Sequence, residues 1–154
     1  MNHGGHAAQP STTRLALDAT RHCLTGCAIG EVVGLLISGA LSFTTEASIV
    51  AGIVLAFVFG YSFTFVPLLR GGMAVGQAAG LTAAADTISI VVMEAVDNLV
   101  VLLVPGAMAA GLGDPLFWGS LVLGLVIAFA VAFPVNRWLI ARGRGHAVVH
   151  GAHH

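Results

Sequence analysis

The 154-residue chain has no lysine, one tyrosine, two cysteines and little charge of either sign, only 8% of its residues being Asp, Glu, Lys or Arg. A water-soluble domain carries about 25% charged residues, so this chain could not clothe a surface facing water. No basic tract is present, which removes nucleic acid as a partner. Residues 1–14 are polar, include Pro10 and lack an apolar core, so no cleavable signal peptide is expected and the first span would serve as an uncleaved anchor. No phosphate-binding glycine loop and no nucleophile–base–orienter set is visible, and the chain is therefore read as a non-enzyme.

What the chain has is apolar length, 57% of it being hydrophobic. Four runs are long enough to cross a bilayer: about Arg21 to Leu41, Ala47 to Leu69, Gln77 to Val104 and Leu116 to Ile140. Asp114-Pro115 marks the start of the fourth, and Arg137, Trp138 and Arg142 form its interfacial anchor. The expected fold is all-α, a bundle of four transmembrane helices over residues 21–142. A His-containing flexible tail precedes it over residues 1–20, and a His-rich tail follows over residues 143–154. All six arginines (Arg14, Arg21, Arg70, Arg137, Arg142 and Arg144) fall on one side if both termini are cytoplasmic. The positive-inside rule then gives a multi-pass protein of the inner (plasma) membrane with the lipid bilayer as its first partner.

Small residues recur at every fourth position: Gly26, Gly30, Gly34 and Ser38 in the first span, Gly52, Ala56 and Gly60 in the second, Gly76, Gly80 and Ala84 in the third. Such ladders let helix backbones approach closely in lipid. Packing within one bundle is the first reading, and a homo-oligomer interface is the second.

The third span carries the unusual chemistry. At about 100° per residue, Asp86, Ile90, Met93, Glu94 and Asp97 share one helical stripe, with Asn98 beside it. A carboxylate at the membrane centre costs about 2.5–3.5 kcal/mol, so three on one face need partners, protons, water or a bound cation. One reading is that they are protonated and bonded to Thr82, Thr87 or Ser89. The first span offers a complementary face: Cys23, Cys27 and Glu31 stack at intervals of four, with His22 one position round. Side chains four apart on a helix are too distant for an unstrained disulfide, whereas thiols with imidazole and carboxylate suit Cu(I) or Zn(II). Counted from Arg21 and Gln77, Glu31 and Asp86 should both lie roughly 14–15 Å deep, with the acids above them and the thiols below. The candidate metal ligands are therefore His22, Cys23, Cys27, Glu31, Asp86, Met93, Glu94, Asp97 and Asn98. The tail histidines His3, His6, His146, His150, His153 and His154 are accessory candidates.

The pattern His22-Cys-Leu-Thr-Gly-Cys27 with Asp86, Met93-Glu94 and Asp97-Asn98 resembles a bacterial family of small multi-span membrane proteins, domain of unknown function 4396. The resemblance runs over about residues 20–150 and includes Gly113-Asp-Pro115 and Pro134-Val-Asn-Arg137. It implies the helical membrane fold and brings no activity. The leading expectation is a protein that binds and moves copper or zinc across the membrane, passing it to a cytoplasmic metal carrier. The alternatives are a proton or alkali-cation pathway that uses the carboxylates alone, and a membrane thiol-redox or haem protein.

Overall fold

A computed structural model describes residues 11–142. The six tail histidines fall outside these residues. Four long helices follow one another: α1 (Thr12–Leu41), α2 (Thr45–Arg70), α3 (Val75–Leu103) and α4 (Pro115–Ala141), with a 3-10 turn at Ala107–Ala109 between the last two. Among the described residues there is no strand. Three starts are capped by side chains. Ser11 accepts from the Arg14 amide, Thr44 from that of Ala47 and Asp114 from that of Leu116, each satisfying a donor the helix leaves open. α1 stops at Ser42, which takes a left-handed conformation (φ 53°), and the Phe43 amide closes back onto Ser38 O at 2.9 Å.

α1 begins nine residues before Arg21, the expected edge of the first span, so residues 12–20 are helical and not part of a tail. Arg14 and Asp18 continue the helix past its apolar part. Thirty residues make about 45 Å, half as long again as the hydrocarbon core. α1, α2 and α4 are each long and apolar enough to cross a membrane. α3 matches them in length and differs by its acids.

The bundle is polar within and apolar without. Asp86, Ser89, Glu94, Asp97, Thr20 and Asn136 are buried, while Val50, Val54, Val58, Leu99, Leu102, Val122 and Val126 are exposed. A soluble protein has the reverse distribution, and a surface of this kind needs an apolar solvent. Arg14, Arg21, Arg70, Arg137 and Arg142 all lie toward one end, and Glu46 and Asp114 stand at the other. At the arginine end the Arg142 guanidinium lies 4.1 Å over the Trp138 ring, the pairing expected of an interfacial anchor.

α1 and α2 pack antiparallel through the first two small-residue ladders. A Cβ on Gly26 would stand 2.5 Å from Gly60 Cα, and one on Gly34 would stand 2.8 Å from Gly52 Cα. One on Gly30 would collide with the Ala56 backbone. The third ladder behaves differently. Gly76, Gly80 and Ala84 lie on the exposed side of α3, and a Cβ on either glycine would meet nothing within 4 Å. The residues that pack are one or two positions round, Ala78, Thr82 and Ala85, because the acids claim the inward face.

Gly30→Ala is expected to cost about 1–3 kcal/mol of unfolding free energy, since backbone must move to admit the methyl. Gly80→Ala should stay within about 0.5 kcal/mol. Unfolding of both variants in detergent checks the contrast.

Candidate functional site

The expected stripe on α3 is the buried face of that helix. Asp86, Ile90 and Met93 are fully covered, and Glu94 and Asp97 keep 5% and 3% of their surface. The faces of α1 and α3 meet, in a register that differs from the expected one. Cys23 Sγ donates to Asp86 Oδ1 at 3.9 Å, a long contact suited to a weak thiol donor. One turn on, Cys27 faces Glu94, and Glu31 faces Asp97. Asp86 is therefore level with Cys23 and not with Glu31. Arg21 is the cause of the difference, because it marks a change of composition and not the start of the helix. Counted from Thr12 and Val75, Cys23 and Asp86 each lie eleven residues along, and Glu31 and Glu94 each lie nineteen.

This register makes two polar layers. Toward the arginine end, the Asn136 amide donates to Thr20 Oγ1 at 2.9 Å and to Ser89 Oγ at 3.0 Å, tying α1, α3 and α4 together beside the Cys23–Asp86 pair. Thr64 of α2 stands next to Asp86. Asn136 went unassigned in the sequence, although it is a carboxamide in an apolar span inside Pro134-Val-Asn-Arg137. Ser89 is thus engaged by Asn136, and Thr87 by Tyr61 at 2.7 Å and by Ala83 O. Neither hydroxyl serves Glu94 or Asp97.

About 12 Å further along α1 lies the second layer, Glu31, Glu94, Asp97 and Asn98. Asn98 Nδ2 turns back to Glu94 O at 2.8 Å. Both carboxyl oxygens of Glu94 and Oδ1 of Asp97 are buried with no hydrogen-bond partner among the described residues. Asp97 fits only because α4 offers Gly124 opposite it, where a Cβ would overlap Asp97 Oδ1. The layer floors a vestibule of about 200 Å³ that reaches toward the end opposite the arginines. Its upper wall comes from Phe43 and Thr45 at the α1–α2 turn, from Met108 in the 3-10 turn and from Phe117 at the start of α4. Below the acids the core closes. Cys23, Cys27, Ile90, Met93, Ala128 and Ala132 form one packed apolar cluster, and Met93 acts there as packing.

His22 does not join the thiols. It is exposed on another face of α1, its ring stacked on Phe63 with centroids 6.3 Å apart. Among the described residues no three His, Cys, Asp or Glu side chains converge closely enough to hold a metal ion. Cys23 pairs with Asp86, while Cys27, Glu31, Glu94 and Asp97 lie near one another in the second layer.

A helical membrane bundle with acids buried between its helices is the class that these features define. The family described as Domain of unknown function (DUF4396) matches residues 13–145, and the chain belongs to it. No curated protein and no solved structure matches the chain.

Gly124→Ala should destabilise the protein by about 1–3 kcal/mol through its clash with Asp97. Asp97→Ala in the same chain should remove most of that penalty in a double-mutant cycle. A penalty that persists without the carboxyl would place its cause elsewhere.

Proposed function

We propose that this protein carries protons into the membrane on the carboxyl groups of Glu31, Glu94 and Asp97. Pairing is the observation that supports this reading. A metal ion without redox or water ligands asks for three or four protein donors, whereas a proton is held by two oxygens or by an oxygen and a sulfur. Asp86 with Cys23 is one hydrogen-bonded couple, and Glu31 beside Asp97 and Cys27 beside Glu94 are neighbours along the same helix interface.

The vestibule gives water and protons a route to this layer, and the packed cluster below it blocks free leakage. With the arginine end placed in the cytoplasm by the positive-inside rule, the vestibule opens to the opposite side. A proton reaching Asp86 from Glu94 then has Cys27 and Cys23 as stepping groups past Ile90 and Met93.

The copper or zinc reading keeps one support of its own, that each thiol faces a carboxylate, which joins a soft donor to a hard one. Elemental analysis separates the two: purified Cys23→Ser/Cys27→Ser protein with the metal content of wild type would remove the thiol-ligated metal.

For the proton reading, protein in liposomes containing a pH-sensitive dye should admit protons under an imposed potential. Glu94→Gln and Asp97→Asn should each reduce the rate at least tenfold, and Cys23→Ser/Cys27→Ser should retain most of it. Rates unchanged by both carboxyl substitutions would overturn the reading.

A further inference from the structure

Glu94 borders two spaces. It floors the vestibule and also lines an adjoining cavity of about 250 Å³ between α2 and α3, which shares Ile49, Ile53, Asn98, Val101 and Met108 with the vestibule. Apart from Glu94 and Asn98 this cleft is walled by apolar side chains, among them Ile49 and Ile53 of α2, Ala95 and Leu102 of α3, and Met108. Ala95 is exposed and Leu102 is 61% exposed, so the cleft faces the lipid side of the bundle. A cavity of about 150 Å³ holds a molecule the size of benzene, so a chain of six carbons fits here.

The polar end of the cleft has one chemical character. Glu94 is 95% covered, both its oxygens lack a hydrogen-bond partner among the described residues, and Asp97 lies one turn further along. The described arginines all lie toward the far end of the bundle, so none of them complements Glu94. An ammonium group carries three donors and meets two acceptor oxygens without needing the cage a metal ion requires.

We propose that the Glu94 carboxylate and the α2–α3 cleft together form a binding site for a primary alkylammonium, its head on Glu94 and its chain between Ile53, Ala95 and Leu102. This rests on the proton reading in one respect, that the carboxylate holding the amine is one that otherwise holds a proton. Proton and amine then exclude each other at Glu94, the arrangement of an exchanger. The amine is either free or the headgroup of an aminophospholipid, and the two share this chemistry.

The test is equilibrium binding of radiolabelled n-hexylammonium to the full chain in phosphatidylcholine nanodiscs, with empty nanodiscs subtracted. One saturable site is expected, at least tenfold tighter than for ammonium measured by competition. Glu94→Gln should weaken it at least tenfold, and Ala95→Phe, which puts a ring into the cleft, should do so as well with the carboxylate intact. Hexanol should not compete. Nanodiscs doped with phosphatidylethanolamine assign the source: competition points to the lipid headgroup and its absence to a free amine. Absent binding, or binding indifferent to both substitutions, overturns the proposal. If proton entry still depends on Glu94 when hexylammonium does not bind, the amine site falls and the proton reading stands.

Discussion

Everything in this bundle follows from placing carboxyl groups where the solvent is hydrocarbon. A charge at that depth has no water to lean on, so α3 is held only if its acid face is covered by other helices on every side. α1 supplies thiols and a fourth carboxyl, and α4 supplies Gly124, whose missing side chain is the space Asp97 occupies. α2 contributes differently: by lying backbone to backbone against α1, it leaves the neighbouring face of α1, about 60° round, to meet the acids. The outer surface is left to aliphatic side chains that lipid solvates.

The two polar layers serve different ends. The Thr20–Ser89–Asn136 network is internally satisfied and fixes the relative rotation of three helices. The acid layer above it is under-satisfied, with three buried carboxyl oxygens lacking partners among the described residues, and it meets a cavity. Native structures rarely leave such groups unmet, and those that do so tend to hold a ligand, an ion or a proton there. A satisfied network and an under-satisfied acid layer are thus separated along the same helices by about two turns.

Much of this was legible in the residues. Four long helices follow from apolar length, and the inward stripe of α3 and the α1–α2 ladder follow from periodicities of 3.6 and four, which survive any context. The register between α1 and α3 was not legible, since it depends on where a helix starts, and Arg14 to Arg21 read as flank when they are helix. His22 adjoins Cys23 in sequence, yet one residue on a helix is 100° of rotation, and that carries its ring to Phe63. The vestibule was illegible for another reason: its upper wall comes from two connections, and loops seldom announce their path in composition. Gly124 looked like any other glycine in an apolar run, and only the partner opposite gives it meaning.

The α1–α2 seam has no give, because backbone already touches backbone along three successive turns. The α2–α3 seam is cushioned by side chains around an open cleft. A bilayer that thins, thickens or bends loads both seams together, and the compliant one yields first. Such a load falls first on the cleft side of the bundle, since α1 is locked to α2 by backbone contact and to α3 and α4 through Asn136.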